Sequence, residues 1–538
     1  MNIESTIFRM YDIRGEVDKD LTEGVVNAIG RAYAIYLKNV FKDKPLTVSV
    51  GRDIRLHSER LKDALVSGIL SEDVNVIDIG VCPTPVLYFS LFNLPVDGGI
   101  MITGSHNPPE YNGMKICVSK ETIYGEEIQR LYEIAKNLPP LPLNHESKKG
   151  TLKHFDIISK YKDFLLNEFY YNSEQLLHHS EHSFRHPERS EESPLPSQSF
   201  RSEAEEPPPS RHSEHSEESP SPLRRPERSE ESPSLRSNAF SLLRIAVDSG
   251  NGCAGIIVPQ LLKGLGINVF ELYSDPDGNF PNHHPDPTLI ETLATLRETV
   301  INNKLDFGIA YDGDVDRIGV VDEKGNVVYG DKLTYIFAKD ILKTHPGGKI
   351  IGEVKCSKTL FDGIAKLGGV PILSPVGHSL IKKKLKEENA LLAGEMSGHM
   401  YFNDRYFGYD DAIYATLRLV EIFAKEKSEN NNFKFSDLLK DLPEVYVSPE
   451  IRIDCNESEK FALVDQFLAK YKEKFPSLAD KIQNVIKIDG IRVEFPDGWG
   501  LVRASNTQSV LVMRFEALTK EALEEYEHSF IETLGGDK

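Results

Sequence analysis

The segment TGSHNPPEYNGMK, residues 103 to 115, follows the apolar run VDGGIMI and places a serine hydroxyl beside a sharp turn. Such a serine could cap a helix, attack an acyl carbon or carry a phosphate. Acyl transfer is disfavoured because Gly104 directly precedes Ser105, so the strained GxSxG elbow of acyl-transferring hydrolases is absent. Capping is disfavoured because Asn107-Pro108-Pro109 predicts a turn and not the first turn of a helix. Phosphoryl transfer is the favoured chemistry, and it needs a metal ion and a cation nearby.

The segment YDGDVDRIG, residues 311 to 319, predicts a metal site. It places Asp312, Asp314 and Asp316 at alternate positions after a buried strand, and carboxylates crowded in this way are costly unless a hard cation neutralises them. We expect magnesium, with a merely polar turn as one alternative. An EF-hand calcium loop is the other, but Arg317 stands where that loop needs glycine, and the flanks are typical of strands. Arg317 would also place a positive charge beside a transferring phosphoryl group.

Two further loops carry polar groups. GEMSGH, residues 394 to 399, offers a carboxylate, a hydroxyl and an imidazole, which suit hydrogen bonds to sugar hydroxyls. RASNT, residues 503 to 507, offers a guanidinium fork, small polar side chains and turn amides, which suit a phosphate dianion, although such a pentapeptide alone is more typical of an ordinary turn. Four more polar residues, each typical of a surface or packing position when taken singly, are Tyr11, Arg14, Lys355 and His378.

Taken together and in this order, TGSHNP, DGDVDR, GEMSGH and RASNT resemble the four signature loops of the α-D-phosphohexomutase superfamily, closest to its phosphomannomutase/phosphoglucomutase branch. The resemblance spans nearly the whole chain except residues 173 to 240. It implies three similar mixed-sheet α/β domains and a C-terminal α+β domain around a central cleft, with one signature loop from each domain. Two positions depart from the usual pattern and could loosen a loop: Gly104 replaces an alanine, and Gln508-Ser509 stands where Thr-Pro often follows the phosphate loop.

The resemblance also implies a role for each loop. Ser105 would carry phosphate in the resting enzyme, and one Mg²⁺ ion would be bound by the three aspartates and a phosphoserine oxygen. The residues implied in catalysis are Ser105, His106, Lys115, Arg317 and His399. The metal ligands are Ser105, Asp312, Asp314 and Asp316. The residues implied in substrate binding are Tyr11, Arg14, Lys355, His378, Glu395, Ser397 and His399, with Arg503, Ser505, Asn506 and Thr507 at the phosphate that is not transferred.

The implied activity is reversible phosphoryl transfer between the 1- and 6-positions of mannose phosphates, glucose phosphates or both. Phosphoserine donates to a free hydroxyl of the substrate, and the resulting hexose 1,6-bisphosphate, which is intermediate and activator, turns over and returns a phosphate to the serine. His399 and Lys115 are alternative general bases. The rival interpretations are a phosphoglucosamine mutase, a sugar-phosphate phosphatase and a non-catalytic sugar-phosphate-binding scaffold, and the intact serine and aspartates argue against the scaffold.

The elements that must position these loops are those of an α/β protein. Short apolar runs such as LTVSVG and FGIAYDG alternate with helical stretches such as ERLKDALVSGIL, and the motifs follow such runs, where α/β folds place their ligands. The tail from IRVEFPDGWG onward predicts antiparallel strands between helices. We expect domains at 1–150, 151–328, 329–440 and 441–538.

Residues 173 to 240 break this pattern. The segment consists mainly of Ser, Glu, Pro, Arg and His, as in FRHPERSEESP, and its lack of apolar residues means that it cannot build a core. Prolines recur at a spacing of 13 residues, at Pro194, Pro207, Pro220 and Pro233, which indicates a degenerate repeat. We expect a disordered insert within the second domain. Metal binding by its histidines is the alternative.

The composition limits partners and location. A net charge of −20 disfavours nucleic acid or an anionic membrane as a partner. No apolar run approaches the roughly 18 residues of a membrane helix, and the charged N-terminal stretch is unlike a signal peptide. The 5 scattered cysteines form no CxxC pair, so neither a disulfide framework nor a zinc site is indicated. We expect a cytoplasmic monomer or weak dimer whose partners are hexose phosphates.

Overall fold

The computed structural model of the chain describes residues 3–42, 44–138, 150–182, 239–505 and 509–535, with backbone alone for 170–182. The described residues form four separate sheets, and we call the units built on them the first, second, third and fourth domains. Three sheets are mixed and the fourth is antiparallel, which confirms the predicted fold class. Within these ranges no helix combines the length and the apolar character that crossing a bilayer requires.

The first domain carries the serine segment. Its strands are β1 (Ile13–Glu16), β2 (Thr47–Arg52), β3 (Asn75–Val81), β4 (Gly98–Ile102), β5 (Tyr111–Val118), β6 (Glu121–Thr122) and β7 (Leu152–His154), in the order β1-β5-β4-β2-β3-β7 with β6 on β5. Its helices are α1 (Glu23–Phe41), α2 (Ser58–Ser71), α3 (Thr84–Asn93) and α4 (Glu126–Lys136). β7 lies beyond the predicted boundary at 150 yet pairs with β3, so the first sheet reaches His154.

The second domain carries the three aspartates. Its strands are β8 (Arg244–Asp248), β9 (Asn268–Leu272), β10 (Phe307–Tyr311), β11 (Ile318–Asp322) and β12 (Val327–Val328), in the order β12-β11-β10-β8-β9. Its helices are α5 (Ile157–His182), α6 (Ala254–Gly264) and α7 (Ala294–Asn302). Most of the predicted insert, 183–238, lies outside the described residues. At its two ends the chain is helical as far as His182 and again from Ala239, next to the fully buried Phe240.

The third domain carries the predicted sugar loop. Its strands are β13 (Lys349–Glu353), β14 (Val370–Ser374), β15 (Leu392–Gly394) and β16 (Met400–Phe402), in the order β14-β13-β15-β16. Its helices are α8 (Gly330–Thr344), α9 (Lys358–Lys366), α10 (His378–Glu387) and α11 (Ala412–Glu429). β15 and β16 form a hairpin, and residues 395–399 make its connection.

The fourth domain carries the predicted phosphate loop. Its strands are β17 (Tyr446–Val447), β18 (Ile451–Asp454), β19 (Asn484–Ile486), β20 (Ile491–Phe495), β21 (Gly498–Ala504) and β22 (Val510–Ala517), in the order β17-β22-β21-β20-β19 with β18 on β22. Its helices are α12 (Lys460–Lys474), α13 (Pro476–Ala479) and α14 (Lys520–Thr533). This antiparallel sheet with helices agrees with the pattern predicted for the tail.

The apolar cores explain how these domains are joined. One cluster of buried side chains runs through the first three domains, for example through Met101, Ile245 and Ile350. The core of the fourth domain is a separate cluster, and a small group centred on Val354 and Trp499 joins it to the third domain. Polar contacts add to this small apolar group: Arg492 donates to the Val354 carbonyl at 2.8 Å, and the Val376 amide donates to Asp489 at 3.0 Å.

Candidate active site

Ser105 lies in the loop between β4 and β5 with a φ of 48°, in the left-handed region that non-glycine residues rarely adopt. The side chain is buried. Its amide donates to the Thr103 hydroxyl at 2.8 Å, and its hydroxyl donates to Asp312 Oδ2 at 3.0 Å. The predicted phosphate carrier and the predicted metal loop therefore meet, although they lie 207 residues apart in the chain.

The serine loop is held by Arg55, which the sequence analysis missed. Its fully buried guanidinium donates to the carbonyl oxygens of four loop residues: Ser105 at 2.9 Å, Asn107 at 2.5 Å, Pro108 at 2.6 Å and Tyr111 at 3.1 Å. Asp53 Oδ2 lies 3.3 Å from Arg55 Nε and accepts from the Gly104 amide at 3.0 Å. The only signal for this cradle in the sequence is GRDIR, where charged residues directly follow a buried strand.

Arg55 also explains why residue 104 is a glycine. A Cβ added at Gly104 would stand 2.4 Å from Arg55 Nε and 2.9 Å from the Tyr111 carbonyl oxygen. Arg55 is buried, and its Nη1 and Nη2 bond to four carbonyl oxygens of the loop, which oppose its withdrawal. Glycine at this position therefore fits the close packing of the loop, in contrast to the loosening that the departure from alanine suggested.

The three aspartates lie between β10 and β11, and all are buried. One carboxylate oxygen of each lies within 4.8 Å of the others. Burial and the charges of Asp316 and Asp314 raise the pKa of Asp312 well above its ordinary value. Asp314 Oδ1 is buried and accepts no hydrogen bond from the described residues. Buried carboxylates of this kind fit a hard divalent cation, which neutralises the charge and coordinates the free oxygen.

Two residues of the first domain hold the acidic loop. Lys115, on β5, is buried and donates to Asp314 Oδ2 at 2.7 Å and to Asp316. Burial opposes its charge, but the neighbouring carboxylates outweigh burial and raise the pKa of Lys115. Thr84, the first residue of α3, donates its amide to the Asp314 carbonyl at 2.9 Å and its hydroxyl to Asp314 Oδ2 at 2.5 Å. Thr84 was not predicted, because nothing in its local sequence indicates this contact.

The sugar loop also faces the acidic loop. His399 Nδ1 lies 2.9 Å from Glu395 Oε2 and 3.0 Å from Ser397 Oγ, and its Nε2 lies 3.3 Å from Asp316 Oδ1. Burial disfavours the charged forms, but the attraction between the imidazolium and the carboxylates outweighs it. The pKa of His399 is raised to about 10, and that of Glu395 is lowered to about 2. A charged His399 thus joins the predicted sugar loop to the predicted metal loop.

Two further predicted catalytic residues lie at the same junction. Arg317 Nε is 3.5 Å from His399 Nε2, and Arg317 Nη1 is 3.8 Å from Asp286 Oδ1. His106 Nδ1 is 3.1 Å from Ser105 Oγ. Burial, and then the charges of Arg317 and Arg14, lower the pKa of His106 well below its ordinary value. The imidazole beside the serine is therefore neutral.

Tyr11 and His378 lie beside the sugar loop. The Tyr11 hydroxyl donates to the Val376 carbonyl at 2.9 Å, and its ring centroid is 6.0 Å from that of His378 in an edge-on arrangement. His378 begins α10, and its ring centroid is 6.3 Å from that of His399. The structure thus brings both predicted residues to the junction of the first and third domains.

Two predicted binding cations are held by nearby carboxylates. Arg14 Nη2 lies 2.6 Å from Asp12 Oδ2, while Arg14 Nε is buried without a hydrogen-bond partner among the described residues. Lys355 Nζ lies 3.3 Å from Glu450 Oε2, at the start of the fourth domain. Lys355 is also close enough to Glu395 to help lower the pKa of that carboxyl group. Arg14 is therefore paired within the first domain, whereas Lys355 connects the third domain to the start of the fourth.

The phosphate loop follows β21. Arg503 Nε and Nη2 lie 3.1 Å and 3.0 Å from Asp489 Oδ2, and the Ser505 amide donates to the Val510 carbonyl at 3.0 Å. The remaining predicted residues of this loop, Asn506 and Thr507, lie outside the described residues. Asp489 was missed, and its only signal is the Asp-Gly turn in IDGIRV before a predicted strand.

Four sequence families match the chain. They are described as "Phosphoglucomutase/phosphomannomutase, alpha/beta/alpha domain I" over residues 5–140, the corresponding domain II over 228–325 and domain III over 329–446, and "Phosphoglucomutase/phosphomannomutase, C-terminal domain" over 450–533. Each of the four predicted loops lies within one of these four matches.

Similar proteins extend over almost the whole chain. The chain is 38% identical over 528 residues to the "Phosphomannomutase/phosphoglucomutase" of Pseudomonas syringae pv. tomato, which covers 98% of this chain and 95% of that protein. It is 36% identical over 531 residues to the "Phosphoglucomutase" of Neisseria meningitidis serogroup A, covering 98% and 96%. A solved structure of a phosphoglucomutase/phosphomannomutase family protein from Burkholderia thailandensis has a TM-score of 0.77 and 34% identity, covering 99% and 98%.

Proposed function

The chain belongs to the phosphoglucomutase/phosphomannomutase family and is a phosphohexose mutase, and we propose that Ser105 is its phosphate carrier and that the four loops bound its active-site cleft. The observation that carries this proposal is the hydrogen bond from the buried Ser105 hydroxyl to Asp312 at 3.0 Å. It is supported by His399, which lies 3.3 Å from Asp316 and so brings the sugar loop to the same carboxylates.

One Mg²⁺ ion fits the acidic loop. Asp312, Asp314 and Asp316 would hold it together with an oxygen of the phosphorylated Ser105. Asp314 Oδ1, which accepts no hydrogen bond from the described residues, is the observation that favours a metal here. When bound, the ion withdraws negative charge from the transferring phosphoryl group. Lys115 balances the charge of the aspartates.

Transfer then depends on the side chains around Ser105. A hydroxyl oxygen of the hexose attacks the phosphorus, the bond from phosphorus to the serine oxygen breaks, and the proton of the hydroxyl passes to a general base. The carboxylates beside His399 and Lys115 keep both charged, so either can take that proton only after losing its own. The neutral His106, 3.1 Å from Ser105 Oγ, already has a free ring nitrogen. Arg317 stabilises the charge on the phosphoryl oxygens. The product is a hexose 1,6-bisphosphate, which turns over in the cleft. The reverse of these steps at its other end returns a phosphate to Ser105 and leaves the isomer.

The substrate is held at two points during this cycle. Arg503, Ser505, Asn506 and Thr507 bind the phosphate that is not transferred, while Glu395 and Ser397 bind sugar hydroxyls. The 3- and 4-hydroxyls roughly exchange places when the sugar is reversed, so one pair of acceptors serves both orientations. The 2-hydroxyl, which distinguishes glucose from mannose, has no such counterpart. We therefore assign both glucose and mannose phosphates as substrates.

The test is to incubate the protein with mannose 1-phosphate, glucose 1-phosphate or glucosamine 6-phosphate, Mg²⁺ and a trace of hexose 1,6-bisphosphate, and to resolve the products. We expect the 6-phosphates of mannose and glucose, and no isomer with Ser105→Ala. Inorganic phosphate without isomer would instead indicate a phosphatase. Turnover of the glucosamine phosphate alone would indicate the phosphoglucosamine alternative.

A further inference from the structure

Two residues just before α10, Val376 and Gly377, make hydrogen bonds to three parts of the molecule. The Val376 carbonyl accepts from the Tyr11 hydroxyl of the first domain at 2.9 Å, and the Val376 amide donates to Asp489 Oδ2 of the fourth domain at 3.0 Å. The Gly377 amide donates to Glu395 Oε1 of the sugar loop at 3.2 Å. This short segment therefore ties the N-terminal segment, the sugar loop and the fourth domain to one another.

Asp489 connects this segment to the phosphate loop. The carboxylate oxygen that accepts from Val376 also lies 3.1 Å from Nε and 3.0 Å from Nη2 of Arg503. Both contacts use one edge of the guanidinium, which fixes the plane of the group. The side chains of Asp489 and Arg503 are only 13% and 7% exposed, so water screens the pair weakly.

We propose that Asp489 is a positioning residue for the mutase reaction: it fixes the orientation of Arg503 and, through the Val376 amide, the position of the phosphate loop relative to the sugar loop. This inference rests on the proposed function, in which Arg503 binds the phosphate that is not transferred. The apolar group shared by the third and fourth domains is small, and Arg492 adds hydrogen bonds to the Val354 and Cys356 carbonyls at 2.8 Å and 2.7 Å. Those contacts lie away from Arg503, whereas Asp489 bonds both to Val376 and to Arg503. Asp489 supplies a directional contact across that interface.

The position of the phosphate loop matters most for the bisphosphate intermediate. The intermediate must reverse its orientation without leaving, because loss of the bisphosphate leaves Ser105 without its phosphate. A phosphate loop that is correctly placed and oriented binds the reversed intermediate before it dissociates. Without Asp489, we expect the intermediate to escape more often, and the enzyme then depends on added bisphosphate to restore phosphoserine.

The experiment compares Asp489→Asn, Asp489→Glu and Arg503→Lys with the wild type. Asparagine keeps an oxygen for the Val376 amide but loses the charge that holds Arg503. The matched control is Asp497→Asn, because Asp497 lies in the same domain and accepts instead from the Tyr526 hydroxyl. The measurements are kcat, KM for glucose 1-phosphate, the bisphosphate released per turnover, and the concentration of added glucose 1,6-bisphosphate that gives half-maximal activity.

For Asp489→Asn we expect KM and the half-maximal bisphosphate concentration to rise about tenfold, which is the scale of one charge-assisted hydrogen bond. The kcat at saturating activator should change less than about threefold. Asp489→Glu should raise KM and the half-maximal bisphosphate concentration less than Asp489→Asn does, and Asp497→Asn should match the wild type. If Asp489→Asn behaves like the wild type while Arg503→Lys is impaired, the inference is wrong and the proposed function stands. An unimpaired Arg503→Lys overturns the proposed function of this loop.

If Asp489→Asn does not fold, Asp489→Glu decides by the same measurements. A longer carboxylate displaces Arg503 but keeps the charge that pairs with it, so a rise in bisphosphate release of roughly twofold to fivefold is expected in a folded protein, smaller than the rise expected for Asp489→Asn. A wild-type bisphosphate requirement in a folded Asp489→Glu variant, beside an impaired Arg503→Lys, contradicts the inference.

Discussion

The guanidinium of Arg55 donates to the carbonyl oxygen of Ser105 at 2.9 Å, within a region from which solvent is excluded. Among the described residues, Arg55 bonds to four carbonyl oxygens of the loop and not to the Ser105 hydroxyl. The position of the predicted phosphate carrier is therefore decided by a residue 50 positions away in the chain.

We predict that Arg55→Lys lowers kcat by about 10²-fold, because a displaced nucleophile costs roughly that much in rate. It should also lower the free energy of unfolding by about 2–4 kcal/mol, since buried carbonyls that lose their donor cost about 1–3 kcal/mol each. Steady-state kinetics and urea unfolding measure the two effects. Arg52→Lys, which changes an arginine of β2 that pairs with Glu59, is the control. Full activity in Arg55→Lys would contradict this role.

Ser105→Ala should abolish most turnover and all phosphorylation of the protein by hexose 1,6-bisphosphate. The reason is that, among the described residues, Ser105 is the one whose hydroxyl donates a hydrogen bond to Asp312, at 3.0 Å. Mass spectrometry of the peptide that contains residue 105 locates the phosphate. An active enzyme that carries its phosphate on another residue would refute the assignment.

Removal of the metal should stop transfer, and Asp314→Ala should raise the activation barrier by about 2 kcal/mol or more, the size of one electrostatic contribution to a transition state. Activity is measured after chelation and again after Mg²⁺ is restored. Glu323→Gln is the control, because Glu323 lies on the same hairpin region but accepts from Ser436. If chelated enzyme keeps its rate, the acidic loop holds no catalytic metal.

The loops that could be predicted from the sequence carry their chemistry in adjacent residues. Three aspartates at alternate positions after a buried strand crowd negative charge together, so the pattern alone predicts a cation site. Thr84 and Asp489 could not be predicted, because their roles exist only through contacts with Asp314 and Val376, which lie 230 and 113 residues away. Local sequence contains no record of such contacts.

The fold, too, was predictable from the sequence only in part. The apolar runs predicted the α/β domains and the antiparallel tail, because burial on one or both faces of a sheet imposes its own period. The order of the strands was not predicted. β7 joins the first sheet through backbone hydrogen bonds to β3, and its three residues, Leu152 to His154, are exposed, so no apolar pattern marks it as a strand.

His283 gives a pH-dependent contribution to stability. Its Nε2 lies 3.1 Å from both carboxylate oxygens of the buried Asp248. Burial opposes the imidazolium, but Asp248 outweighs burial and raises the pKa of His283 above its ordinary value of 6.5. A pKa that is higher in the folded state stabilises the protein fully below the unfolded value, and this contribution is lost as the pH rises through the folded value.

We therefore expect His283→Gln to lower the free energy of unfolding more at pH 5.5 than at pH 9. Urea unfolding at both pH values measures the difference between wild type and variant. His284→Gln is the control, since its carbonyl, and not its ring, bonds to His283. A difference that stays constant or grows with pH would show that His283 is not charged in the folded protein.

Replacement of residues 183–238 by a short Gly-Ser linker should leave folding and activity unchanged. The sequence of this segment is polar and repetitive, and such sequences contribute little to a core. The junctions are placed at His182 and Ala239, because the chain is helical up to the first and Phe240 is buried beside the second. Melting temperature and mutase rate test the deletion, and aggregation of the shortened protein would contradict it.

Substitution of Glu395 should lower kcat/KM equally for glucose and mannose phosphates. Its carboxylate accepts from the Gly377 amide at 3.2 Å and from the Tyr401 hydroxyl at 2.7 Å, which fix it in the sugar loop for either orientation of the substrate. Glu395→Gln removes a charge that both sugars use, so kcat/KM should fall for both 1-phosphates, with their ratio changed less than about threefold. Glu388→Gln, at a surface pair with Lys349, is the control.

The wild type itself should discriminate between the two sugars weakly, because no group in the proposed scheme is dedicated to the 2-hydroxyl. We expect the transition states to differ by about 1–3 kcal/mol, the range reached without a dedicated hydrogen bond. Matched kinetics on glucose 1-phosphate and mannose 1-phosphate measure this difference. If the wild type rejects one sugar by more than about 10⁴-fold, or if Glu395→Gln loses one sugar and spares the other, then the loop recognises the 2-position. The reversal of the 3- and 4-hydroxyls would then not be the basis of specificity.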